Sequence, residues 1–148
     1  MISQIIEEIL WHEVNIIQMP CPESQLGGYE NGLKRGPKSI SKYDTPEFRK
    51  VCQHSASEVT EMIKAILNND YEIVAILGIE FSPSCSIKLQ YSNKGVFHQP
   101  GIFIKSLKNQ LAAEKIDIPF LGINRRGMKK SLRELKELLS QQKNLLDF

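Results

Sequence analysis

Two short, proline-stiffened runs hold the residue types most able to do chemistry. Cys21-Pro22-Glu23 and Ser82-Pro83-Ser84-Cys85 each set a thiol close to an oxygen group. A thiolate is both nucleophile and metal ligand. A carboxylate two residues away can carry its proton, and a serine hydroxyl can donate to sulfur or to a bound molecule. Ser82 and Ser84 fit equally a local role in shaping a turn, and Glu23 fits that of a solvated loop residue. A free cysteine is often only a small packed hydrophobe. The serine-rich loop around Cys85 argues against that reading there, whereas Cys52, on the apolar face of a helix, fits it.

Both runs sit where a sheet would place them. Ile73-Val74-Ala75-Ile76-Leu77-Gly78-Ile79 reads as a fully buried strand ending just before Ser82. Val14 to Met19 reads as another, leading into Pro20-Cys21. Ligands of open parallel sheets bind outside the carboxyl ends of the strands, so two strand-end cysteines are expected to meet in space.

Around these strands the periodicity is helical. Ile5, Ile6, Ile9 and Leu10 stripe a helix from about Ser3 to His12. Residues 24–44 form a long loop punctuated by Gly27-Gly28, Gly32 and Gly36-Pro37, of a length usually tied to function or disorder. Tyr43-Asp44-Thr45-Pro46-Glu47 supplies a cap, a first-turn proline and an acid at the positive end of the dipole. The helix it opens keeps its spacing from Phe48 through Cys52, Val59 and Ile63 to Leu67. Residues 86–100 read as a small hairpin or a flap, with Ser92-Asn93-Lys94-Gly95 as the turn. A helix over 102–116, a buried strand over 118–123 and a final helix through Leu132, Leu135, Leu138 and Leu139 complete the chain, with 142–148 expected to fray. Alternating strands and helices without a repeat predict one α/β domain over 1–148 with a small parallel sheet.

Composition narrows the partners. The net charge of +2 argues against nucleic acid or an anionic membrane as the main partner. No apolar run reaches the roughly 18 residues of a membrane span. Residues 1–10 hold two glutamates and no basic leader, so a cytoplasmic setting is expected, where thiols stay reduced. His12, His54 and His98 fit no metal-ligand spacing. The basic clusters Lys34-Arg35-Gly36-Pro37-Lys38 and Arg125-Arg126-Gly127-Met128-Lys129-Lys130 are either solvated faces or, framing one crevice, an attraction for an anionic small molecule. There is no glycine-rich phosphate fingerprint, no CxxC and no Ser-His-Asp candidate.

Met19-Pro20-Cys21-Pro22-Glu23, Leu33-Lys34-Arg35-Gly36-Pro37, Tyr43-Asp44-Thr45-Pro46-Glu47-Phe48-Arg49 and Ser82-Pro83-Ser84-Cys85 together resemble the 2-thiouracil desulfidase-like family. The resemblance runs to about Cys85 and weakly on to Pro119. It implies a Rossmann-like three-layer α/β domain holding a 4Fe–4S cluster on three cysteines, with one iron open to take sulfur from a thiolated base. On that reading Cys21 and Cys85 match the second and third ligands. Glu23, Ser82 and Ser84 match the acid/base and hydrogen-bonding neighbourhood. The family opens on a strand ending in Cys-Leu-Leu that supplies the first ligand, whereas this chain opens on a helix, and Ser86 stands where the family commonly has glycine. The ligand set is therefore incomplete. Three expectations follow: a chain shortened at its N-terminus, a divergent member that has lost the cluster, or recruitment of Cys52 as third metal ligand. A sheet lacking a strand also leaves a naked edge, so a homodimer pooling Cys21 and Cys85 from two copies is a further expectation. A metal-free small-molecule binding domain is the alternative function.

Overall fold

The computed structural model describes residues 2–26 and 39–146. In chain order these form α1 (Ile2–Trp11), α2 (residues 22–26), α3 (Ile40–Tyr43), α4 (Pro46–Asn68), β1 (Ile76–Ile79), β2 (Leu89–Ser92), β3 (Gly95–His98), α5 (Ile102–Ala113), β4 (Phe120–Ile123) and α6 (Met128–Leu146). The expected parallel pairing is present between β1 and β4, in register from Ile76 opposite Phe120 to Ile79 opposite Ile123. β2 and β3 form a separate antiparallel hairpin, the form that the alternation around Tyr91 allowed.

Side-chain alternation splits the core into two layers, one on each face of the parallel pair. Ile76 and Phe120 point to the α4–α5 side, where Phe48, Cys52, Phe103, Ile104 and Leu107 are fully buried. Leu77, Ile79, Leu121 and Ile123 point to the α1–α6 side, against Ile5, Ile9, Leu135 and Leu139. Each large side chain so buried contributes about 1.5–3 kcal/mol relative to exposure. The result is an α/β chain with helices on both faces of a small parallel sheet.

α4 starts where its sequence says. The Thr45 side chain accepts from Phe48 N at 3.2 Å, Pro46 fills the first turn, and Glu47 sits at the positive end of the dipole. Its far end closes at Asn69, whose Nδ2 donates to Ala65 O at 2.7 Å, and Asp70 turns the chain out with φ 63°.

Several expectations are corrected. The long loop expected over 24–44 holds the end of α2 and all of α3, and its residues 27–38 lie outside the described residues. Val14 to Met19 is not a strand: among the described residues no ladder pairs with it, and Ile16 and Ile17 stay half exposed. An apolar run without a neighbour for its backbone does not become a strand, whatever its propensity. The 73–79 run contributes only Ile76–Ile79 to the sheet, because β4 is four residues long and sets the length of the pair. The fraying expected over 142–148 falls in part on residues that are helical through Leu146, and residues 147–148 lie outside the described residues. Among the described residues no helix is long and apolar enough to cross a membrane.

Candidate functional site

The site is built on the turn that leaves β1. Glu80 N still donates to Ile123 O at 3.0 Å, and the chain then breaks from the sheet at Phe81, a non-glycine residue held at φ 68°. Residues held there persist only where surroundings over-determine them, and here they do. Phe81 N donates to Leu89 O and Ser82 N to Ile79 O. The Glu80 carboxylate, buried beside Gly122, accepts from the backbone N–H groups of Lys88 and Leu89.

Residues 82–86 then form a tight loop tied from three sides. Ser82 Oγ accepts from Cys85 N at 3.0 Å, and Ser82 O accepts from Ser86 N at 3.3 Å. The buried Gln90 amide donates to Ser82 O at 2.8 Å and to Ser86 Oγ at 2.6 Å. Pro83 O and Ser84 O accept from Ile102 N and Ile104 N, so the loop carbonyls satisfy the free first-turn donors of α5, whose N-cap Gly101 has no side chain to do so. The approach is close: a Cβ on Gly101 would overlap the Ser84 carbonyl, and one on Gly78 would overlap Cys85 O.

The second run faces this loop. Cys21 O accepts from Ser24 N and Gln25 N, which makes Cys21 the cap of α2, with Pro22 buried in its first turn. Gln25 Oε1 accepts from the buried Ser55 hydroxyl at 2.7 Å, pinning α2 to α4. Glu23 thereby meets the loop: its Oε1 accepts from Ser84 Oγ at 2.6 Å and from Ser82 Oγ at 3.4 Å. Ser84 Oγ is also 3.3 Å from Cys85 Sγ.

Electrostatics bind the same residues together. Burial pushes the Cys85 thiol above its ordinary value, and the charges of Cys21 and Glu23 add to the push. Hydrogen bonds from Ser84 and Ser82 work the other way. Ser84, however, has one proton, and the 2.6 Å contact gives it to Glu23 rather than to sulfur. Ser84 then accepts from the thiol, and Cys85 is held neutral. Cys52, wholly buried on α4, is pushed up to about 12, chiefly by burial and then by Cys85, Glu23 and Cys21. Tyr43 is raised by burial and by Glu23 and Cys21.

The predicted residues Cys21, Glu23, Ser82, Ser84 and Cys85 thus gather at one place, with Cys52 beneath them in the core. Among the described residues there is nevertheless no group of three His, Cys, Asp or Glu side chains able to hold a metal ion. His12 bonds to Glu8, His54 lies 3.5 Å from Glu58, and His98 is exposed on β3. The basic cluster 34–38 lies outside the described residues. The other cluster leaves the end of β4 beside the site: Arg126 donates to the Tyr91 hydroxyl at 2.6 Å, and Tyr91 stacks on Phe81 with ring centroids 4.2 Å apart. Sequence reasoning missed Gln90, Glu80 and the site-facing role of Tyr43. Only Gln90 carried a signal, as a polar residue between apolar ones in a β-alternating run.

No family model matches the chain, and no solved structure matches it significantly. It is similar to the uncharacterized protein MJ0003 of Methanocaldococcus jannaschii, at 25% identity over 138 residues, covering 93% of this chain and 80% of that protein.

Proposed function

We propose that this is a desulfidase-like domain of Rossmann-like type, which takes a small thiolated base or a similar thio compound at the ends of β1 and β4. The observation that carries the reading is the chain of contacts from Cys85 Sγ through Ser84 Oγ to the Glu23 carboxylate. Exchanging C=S for C=O without redox change consumes water and releases hydrogen sulfide, so a proton must leave the water and reach the departing sulfur. A carboxylate linked through a hydroxyl to the sulfur side of the site is suited to that transfer. Cys21 is exposed at the cap of α2, two residues before Glu23.

The donors present do not fit the 4Fe–4S cluster that the resemblance implies. A cluster needs thiolate ligands. Cys52 is wholly buried and resists ionisation up to about pH 12, and the described residues contain no three-donor group. The same observation favours a second reading, a metal-free binding domain that holds the ligand without turning it over.

Titrating the protein with 2-thiouracil and with uracil, while following sulfide release, tests both readings. The desulfidase-like reading expects saturable binding of the thio compound and sulfide release that Cys85→Ala abolishes. Saturable binding with no sulfide selects the metal-free binding domain. Absence of binding by either compound overturns both.

A further inference from the structure

The apolar stripe of α1 is wider than the part of it that is buried. Ile5 and Ile9 are buried against α6, while Ile2, Ile6 and Leu10 recur every fourth residue along the flank beside them and stay exposed. That spacing makes one continuous stripe. Leu10 is 60% exposed and Trp11, beside it, 80%. At the helix end Val14 N turns back to bond Ile9 O at 3.3 Å, and the chain continues into Ile16 and Ile17, both at least half exposed.

We propose that this surface is the interface for a second copy of the chain. Area is the first argument. At about 200 Å² per fully exposed large apolar side chain, these six residues present roughly 600 Å². Two copies face to face would remove about 1,200 Å² from water, the lower bound of a stable interface. Symmetry is the second. An antiparallel α1 pair about a two-fold axis sets Ile6 against its own copy and Ile2 against Leu10 of the other, so a single stripe is its own complement. Charge is the third. The polar residues of α1 are Ser3, Gln4, Glu7 and Glu8, with no cation, unlike the Lys- and Arg-rich helices that lie on membranes. Glu8 is engaged by His12 and Lys136, and a net charge of +2 per copy opposes association only weakly. Because Ile16 and Ile17 precede Cys21 by a few residues, association would also hold the segment that delivers Cys21 to the site.

Trp11 is the single tryptophan of the chain, so its fluorescence reports this face alone. Sedimentation velocity from about 1 to 100 μM should show the mass rising from one copy to two, with indole emission moving to the blue in step. Ile6→Glu with Leu10→Glu should weaken association at least about tenfold, since each change counts twice in a symmetric interface, with unchanged circular dichroism. Tyr71→Asp, at an exposed site elsewhere, should associate like the wild type. A monomer with constant emission throughout, or a double variant that still dimerises, overturns the proposal. So does flotation of the monomer with anionic vesicles, which would assign the face to lipid.

Discussion

Ser84 gives its hydroxyl proton to Glu23 across 2.6 Å, and that bond fixes the state of the neighbouring thiol. While the proton points at the carboxylate, Cys85 can be only a donor to Ser84. Two effects of Glu23 therefore act in one direction on Cys85: its charge opposes a thiolate, and it withholds the hydroxyl that would stabilise one.

Removing Glu23 should release both restraints. In a Cys21→Ser background, Glu23→Ala is expected to speed alkylation of Cys85 at pH 7.5 by about three- to tenfold, since one pKa unit is worth about tenfold in thiolate. Adding Ser84→Ala should cancel most of the gain, because the stabilising hydroxyl is then gone. Mass spectrometry of the labelled peptide reads both. Equal acceleration with and without Ser84 would mean that the substitution had merely opened the site.

Cys52 gives a pH signature. Its thiol is raised from 9.0 to about 12 in the folded chain, so the folded state holds that proton more tightly than the unfolded one. The stabilisation is whole below pH 9 and is lost as pH climbs toward 12, by up to about 4 kcal/mol. Urea unfolding at pH 7, 9, 10 and 11 should show wild-type stability falling faster than that of Cys52→Ala. Parallel curves would remove the buried thiol as the cause.

Two glycines should respond very differently to alanine. Gly101 has an ordinary negative φ, but its Cβ would meet the Ser84 carbonyl, whereas Gly95 has φ 109° and open space around it. Gly101→Ala is expected to cost about 2–4 kcal/mol by overpacking backbone against backbone. Gly95→Ala should cost about 1 kcal/mol through its backbone conformation alone. Denaturant midpoints measure the difference. Equal costs would mean that the Ser84 loop yields easily, and that its grip on α5 is weak.

The placing of Cys85 was legible because the apolar run 73–79 ends beside Ser82 and strand ends are where such chains place ligands, whereas Cys21 reaches the same place at the cap of α2 and not, as expected, at the end of a strand. α4 was legible from Thr45-Pro46-Glu47 and its stripe, since caps and periodicity are local properties. The fate of Val14 to Met19 was not legible. A run of β-formers becomes a strand only if another backbone lies alongside, and nothing in those six residues says whether one does. Gln90 and Glu80 were hidden for a similar reason. Their bonds close onto Ser82, Ser86 and the Lys88-Leu89 backbone, partners that exist only once β1, the loop and the hairpin have come together.

Iron loading tests the donor set directly. Anaerobic reconstitution with ferrous iron and sulfide is expected to leave well under four irons per chain after desalting. The two thiols at the surface of the site, Cys21 and Cys85, are fewer than a 4Fe–4S cluster needs, and ionising Cys52 inside the core would cost several kcal/mol. Any residual iron should fall further in Cys85→Ala and stay unchanged in Cys52→Ala. If instead the wild type retains about four irons and four sulfides with a broad absorption in the blue, and Cys52→Ala loses them, then Cys52 leaves the core to become a ligand. α4 would then have to rotate or unwind near Phe48 and Ala56, which hydrogen exchange across 48–56 would register as lost protection.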